Sequence, residues 1–84
     1  MRNYLITFRS VTYAQRGEAA LRSAGIFATL QRAPRHLEER GCGYSLGIHK
    51  TDVARSLEIL RTRQIPFRKV YLRHGSGDME EVEL

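Results

Sequence analysis

The residue with the strongest potential for covalent chemistry is the single cysteine, Cys42, which stands between Gly41 and Gly43. A thiolate is a nucleophile that can accept and release a sulfur or selenium atom, whereas a buried thiol serves as a small apolar side chain. Flanking glycines fit a tight turn or a sulfur left accessible. A lone cysteine forms no disulfide within its chain and is typical of reducing compartments, so we expect a cytoplasmic protein.

Other catalytic and ligand-binding patterns are not found in the sequence. The three histidines, His36, His49 and His74, show none of the paired spacings of a zinc site. No serine has a visible His–Asp arrangement, and neither a phosphate loop nor a dinucleotide fingerprint is present. We therefore expect no metal and no cofactor.

Apolar periodicity places six elements in the order strand, helix, strand, strand, helix, strand. The predicted strands cover residues 4–8, 26–30, 44–48 and 67–72; the first helix begins after Ser10 or Thr12 and ends at Gly25, and the second begins after Thr51 or Asp52 and ends before Pro66. The two halves repeat, because Leu21, Arg22 and Ile26 match Leu60, Arg61 and Ile65 at an offset of 39. This pattern predicts two similar βαβ units.

Two such units predict an α+β, ferredoxin-like βαββαβ sandwich. Its four-stranded antiparallel sheet would have the order 4-1-3-2, with both helices on one face. Residues 1–73 would form this single domain, since domains rarely fall below about 50 residues. Residues 74–84 would form an acidic and flexible C-terminal tail, because they begin with His-Gly-Ser-Gly.

The predicted strand order determines the surroundings of Cys42. Strands 1 and 3 would be antiparallel neighbours, so the start of strand 3 would lie beside the end of strand 1, where Arg9, Ser10 and Thr12 lead into the first helix. The partial positive charge of a helix N-terminus lowers a thiol pKa from its usual value of about 8.5. Arg9, Arg35 and Arg40 would add to this effect.

Three motifs occur in the same order as in a known family: the segment YLITFRSVTYA, the pair Pro34-Arg35 and the pair Cys42-Gly43. Together they resemble the small bacterial family of selenium/sulfur carrier protein-like domains, over residues 3–72. The resemblance implies a compact ferredoxin-like protein whose carrier cysteine corresponds to Cys42.

The function that this resemblance implies is transport of sulfur or selenium on Cys42, as a persulfide or selenopersulfide, between donor and acceptor proteins. Arg35 would stabilise the anionic form through its guanidinium. We expect a non-enzymatic carrier rather than a stand-alone enzyme. The predicted site has Cys42 and Arg35 at its centre, with Pro34, Gly41, Gly43, Ser10, Thr12 and Arg9 as binding residues.

An alternative interpretation is a small basic binding module in which Cys42 is only structural. Residues 1–73 carry all 14 basic residues and five acids, a net charge of +9, and the last eleven residues carry four acids. Such a charge attracts nucleic acid. However, the helix-free face of the sheet would show Leu5, Thr7, Ser45 and Gly47, which is a poor surface for stacking bases, so the sequence does not favour RNA.

Protein partners are compatible with the same face. Leu5 and Phe27 on that face, together with the two edge strands, could support a homodimer or another protein partner. No apolar run approaches the roughly 20 residues of a membrane helix, so we expect no membrane association.

Overall fold

The computed structural model describes residues 3–32 and 43–83. Its strands are β1 (Tyr4–Phe8), β2 (Ala28–Arg32), β3 (Tyr44–Ile48), β4 (Val70–Arg73) and β5 (Met79–Val82), and its helices are α1 (Val11–Ser23) and α2 (Val53–Thr62). A 3₁₀ turn, Lys50–Asp52, leads into α2. Among these elements, no helix has both the length and the apolar character needed to cross a membrane.

The prediction of a four-stranded ferredoxin-like sheet is wrong. The chain is α+β, but all five strands form one antiparallel sheet in the order β2-β3-β1-β4-β5. The fifth strand comes from residues that we expected to form a flexible tail. His74 to Asp78 instead make a hairpin turn, closed by hydrogen bonds from His74 N to Asp78 O (2.8 Å) and from Gly77 N to His74 O (2.9 Å).

One apolar layer between the sheet and the two helices forms the core. From the sheet it takes alternate residues, including Ile6 and Phe8 of β1, and from the helices it takes the buried stripes of α1 and α2. The elements approach closely at Gly17 in α1, where a Cβ would lie 3.1 Å from Phe8 Cζ and 3.3 Å from Leu60 Cδ2. Only a glycine fits there without displacing its neighbours.

The repeat seen in the sequence produces equivalent helix ends. In α1, Ile26 N donates to Leu21 O (2.9 Å), and in α2, Ile65 N donates to Leu60 O (2.9 Å). The residue before each isoleucine is left-handed: Gly25 has φ 81° and Gln64 has φ 57°. This hydrogen-bond pattern satisfies carbonyls at the helix end, and because Ile26 is engaged in it, β2 starts at Ala28 and not at residue 26.

Both faces of the central strands are buried. Leu5 and Ser45 point away from the helices and are 0% exposed, and Thr7, Gly47 and Tyr71 on the same face are also buried. The expectation that this face is open is therefore wrong. Leu5 lies opposite both Gly47 and Tyr71 in the register, so the central strand is enclosed by neighbours on both sides.

Candidate functional site

Several elements begin or end along one edge of the sheet, the edge formed by strand ends and not by an outer strand. β1 ends there at Phe8, which pairs with Tyr44 at the start of β3, and Tyr44 in turn pairs with Arg32 at the end of β2. α1 starts at the same edge, because only Arg9 and Ser10 separate it from β1. This edge therefore combines a helix N-terminus with the beginning of the third strand.

Ser10, one of the two predicted N-cap positions, is the N-cap of α1. Its side-chain oxygen accepts a hydrogen bond from Tyr13 N (3.3 Å), and its carbonyl accepts one from Ala14 N (3.1 Å). Thr12 lies exposed within the first turn and is not the cap. Within residues 3–32 and 43–83, the amides of Val11 and Thr12 have no hydrogen-bond partner, and the first turn carries no acidic residue. The positive end of the helix dipole is thus not neutralised by a carboxylate of its own turn.

Three arginines, which we call the arginine edge, surround this helix start: Arg9, Arg32 and Arg68. All three are exposed, and none forms an ion pair with a carboxylate in the part of the chain that the structure describes. The Arg32 guanidinium lies over the Tyr44 ring, 5.9 Å from its centroid, which orients it toward the start of β3.

Arg68 is held at the edge by backbone bonds to β1. Its amide donates to Thr7 O (2.7 Å), and Thr7 N donates to Lys69 O (2.8 Å). Thr7 reinforces this junction, since its hydroxyl contacts both Lys69 N and Lys69 O at 3.1 Å. Arg68 therefore lies beside the end of β1, although 59 positions separate it from Arg9 in the sequence.

The predicted site residues divide into two groups. Pro34, Arg35, Gly41 and Cys42, and with them Arg40, lie outside the described residues. The others, Arg9, Ser10, Thr12 and Gly43, are described, and the structure brings them to the same edge of the sheet. Gly43 is buried directly before β3, and Ser10 begins α1 beside it.

Sequence reasoning missed Arg32 and Arg68. A signal for Arg32 existed, since it alternates with Leu30 along the second strand and Tyr44 begins the third. A signal for Arg68 existed as well, since the predicted order 4-1-3-2 puts the start of the fourth strand beside the end of the first. In the structure the Arg68 amide donates to Thr7 O there.

Metal ligands do not cluster in this part of the molecule. Among the described residues, no group of three or more His, Cys, Asp or Glu side chains is close enough to hold a metal ion. His49 instead caps the 3₁₀ turn, accepting a hydrogen bond from Thr51 N (3.2 Å), and His74 contacts Glu80 (2.8 Å).

The helix-free face gives no support to base stacking. Its central residues Leu5, Thr7 and Ser45 are buried and not aromatic, and Phe27, which is 68% exposed, lies just before the edge strand β2. An RNA-binding sheet presents exposed aromatic rings on its central strands, whereas Tyr71, which lies opposite Leu5 on this face, is buried.

Comparison with known proteins gave a match at the level of the family. A family model with the description "Putative Se/S carrier protein-like" matches residues 3–72. No curated protein and no solved structure matches the chain. The match includes β1 to β3 and both helices, and it ends within β4, so β5 lies beyond it. It confirms the resemblance that the three motifs indicated.

Proposed function

This chain belongs to the Se/S carrier protein-like family, and from that premise we propose that Cys42 carries a sulfur or selenium atom between partner proteins. The Cys42 thiolate attacks the outer sulfur of a donor persulfide, R–S–SH. A new S–S bond forms, the donor S–S bond breaks, and the donor leaves as R–S⁻, so that Cys42 carries –S–SH. An acceptor thiolate then takes the outer sulfur, and Cys42 leaves as a thiolate. Selenium transfer from R–S–SeH follows the same balance.

The observation that carries this proposal is the family match together with the chain's one cysteine inside the matched range. No other side chain between residues 3 and 72 can hold a sulfane sulfur. A carrier thiol has to be reactive at neutral pH, and the charge at the edge of the sheet supports that requirement.

The described part of the edge supplies favourable electrostatics. Cys42 is one peptide bond from Gly43, and Gly43 precedes Tyr44, the register partner of Phe8 at the end of β1. Our proposal is that the Cys42 thiol works at this edge, near the first turn of α1; Cys42 itself lies outside the described residues. The arginine edge and the helix dipole both favour the thiolate over the thiol.

Arg35 is the proposed stabiliser of the persulfide anion, in addition to Arg9 and Arg32. A guanidinium offers several donors in a fixed plane and stays charged at every physiological pH. These properties suit the reversible stabilisation of a persulfide anion. Pro34, Gly41 and Gly43 would shape the backbone around the thiol. The donor and acceptor are proteins, and the cytoplasm is the compartment in which a free persulfide carrier can work.

The test is sulfur loading followed by intact-protein mass spectrometry. We expect the protein incubated with a small-molecule persulfide to gain the mass of one sulfur atom, and to lose it on treatment with a thiol reductant. Cys42→Ser should gain nothing under the same conditions. Failure of the native protein to gain mass, at a pH where a cysteine-containing peptide does so, would contradict the proposal.

A further inference from the structure

A surface pocket lies between the start of α1 and the segment that precedes β4. It has a volume of ≈ 270 Å³ and is lined by Arg9, Tyr13, Pro66, Phe67 and Arg68. The bonds between Thr7 and the Arg68–Lys69 backbone hold the two sides together, with Arg68 N donating to Thr7 O at 2.7 Å. The pocket is therefore formed by the fold and does not depend on a flexible loop closing over it.

The charge of this pocket is unbalanced. It is lined by two arginines, Arg9 and Arg68, and neither forms an ion pair with a carboxylate among the described residues. Across the described residues, the acids that form ion pairs do so elsewhere: Glu18 with Arg22, Glu81 with Lys69, and Glu80 with His74. Two arginines that share a concave site without a carboxylate repel each other, and an anion relieves that repulsion.

The walls of the pocket are aromatic as well as cationic. Tyr13 and Phe67 are half-buried against the core, so their positions are constrained by packing. Small-molecule pockets usually have volumes of about 300–1,000 Å³ and combine apolar walls with a few polar groups. A pocket of ≈ 270 Å³ is suited to a small ligand with one strongly anionic group.

We propose that this pocket binds a phosphate group without covalent chemistry, either as free phosphate or as a small phosphate monoester. Arg9 and Arg68 hold the phosphate oxygens, and the Tyr13 and Phe67 rings flank the organic part of an ester. Arginine pairs are suited to phosphate because their planar forks match its oxygens. This site goes beyond the proposed function: it shares Arg9 with the carrier proposal but does not require Cys42.

Titrations with inorganic phosphate and with phenyl phosphate distinguish the two sources. We expect both to shift the backbone amide resonances of Arg9, Phe67 and Arg68 in a heteronuclear NMR spectrum at physiological salt. Phenyl phosphate should bind about fivefold more tightly if the rings contact its aromatic group. Equal affinities would identify free phosphate as the ligand, and absence of any shift in both titrations would overturn the proposal.

Variants test which side chains are responsible. Arg9→Ala and Arg68→Ala should each weaken phosphate binding roughly tenfold, because each removes charge-assisted hydrogen bonds. The matched control is Arg55→Ala, which removes one exposed positive charge from α2, outside the pocket. An equal loss in all three variants would show that only the net charge matters and would overturn the site.

Two further variants keep the inference separate from the carrier proposal. Phe67→Leu removes an aromatic ring but keeps the wall apolar. It should therefore abolish the preference for phenyl phosphate while inorganic phosphate still binds. Cys42→Ala should bind phosphate as the native protein does. If Cys42 accepts sulfur but no anion binds, only this inference fails; if the anion binds but Cys42 accepts nothing, only the carrier proposal fails.

Discussion

Ser10 is the residue that caps α1 at the end of the sheet where β3 begins. Its side chain satisfies the amide of Tyr13, and its backbone carbonyl starts the helical ladder at Ala14. The amides of Val11 and Thr12 stay without a partner within the described residues, so the positive end of α1 acts through space. A substitution of Ser10 can therefore add a charge at the start of α1 while keeping a side chain that caps the helix.

Replacing Ser10 with Asp should slow alkylation of Cys42 by iodoacetamide at neutral pH. Asp caps a helix as well as Ser does, but its negative charge raises the pKa of a neighbouring thiol, and a charge at a helix terminus changes the thiolate fraction by roughly two- to fivefold. Ser10→Asn is the matched control, since it caps without charge and should alkylate at the native rate. Identical rates in both variants would place Cys42 outside the influence of this terminus.

Ser45 is a second residue with an unusual environment. It is 0% exposed, and its hydroxyl oxygen has no hydrogen-bond partner within the part of the chain that the structure describes. A buried hydroxyl without a partner lowers stability by about 1–3 kcal/mol relative to a satisfied one. Ser56 is equally buried, but its hydroxyl donates to Asp52 O at 2.7 Å.

We therefore expect Ser45→Ala to raise the free energy of unfolding by about 1 kcal/mol, because it removes a polar group that makes no hydrogen bond. Ser56→Ala should lower it or leave it unchanged, since it removes a hydrogen bond that exists. Urea denaturation followed by circular dichroism measures both. A loss of stability in Ser45→Ala would show that the hydroxyl contributes an interaction.

At the scale of elements, β5 is the strand that distinguishes the observed sheet from the predicted one. In its register with β4, Val82 lies opposite Val70 and Met79 lies opposite Arg73. Lys69 contacts Glu81 at 3.3 Å. Val82 is the β5 residue that packs against the core. The strand therefore covers the hydrogen-bonding edge of β4 with little apolar burial of its own.

A chain that ends at His74 should still fold, with a free energy of unfolding lowered by about 1–3 kcal/mol for the lost Val82 contacts and strand hydrogen bonds. The exposed edge of β4 should promote self-association, which sedimentation at increasing concentration would detect. Val82→Ala is the control, because it reduces packing but keeps the strand. An unfolded truncated chain would mean that β5 is required for the sheet.

At the scale of the whole molecule, charge is distributed unevenly. The protein has a net charge of +5, and the arginine edge forms one cationic region near the start of α1. The helix-free face is buried at Leu5, Ser45 and Tyr71, so among the described residues β1, β3 and β4 present no exposed aromatic ring on it. The attraction between this protein and nucleic acids should therefore depend on charge and not on the recognition of bases.

Single-stranded oligonucleotides should bind weakly and dissociate at modest salt. With few phosphate contacts, the slope of log K against log [salt] should lie near about −1 to −2. Arg16→Ala and Arg55→Ala, which remove exposed charges outside the phosphate pocket, should weaken this binding equally, as expected for general charge, and fluorescence anisotropy across a salt series measures both effects. A steep slope with useful affinity at physiological salt would instead favour the RNA-binding interpretation.

The sequence alone was sufficient for features that depend on neighbouring residues. Apolar periodicity and helix-ending signals predicted two helices and four strands, and three short motifs predicted the family, which the match over residues 3–72 confirmed. The N-cap was narrowed to two candidates, of which Ser10 was right. These features are local because hydrogen bonds within a helix turn join residues three or four positions apart.

Only the tertiary structure decided how distant segments meet. The Gly-rich segment after His74 has the composition of a flexible tail and of a hairpin turn alike, and pairing with β4 made it a turn. Residues on both faces of β1 are buried in the folded chain. The bonds between Thr7 and Lys69 brought Arg68 toward Arg9, which turned arginines scattered along the chain into one cationic pocket. Strand pairing depends on the register of residues far apart in sequence, and a pattern of single residues does not contain that register.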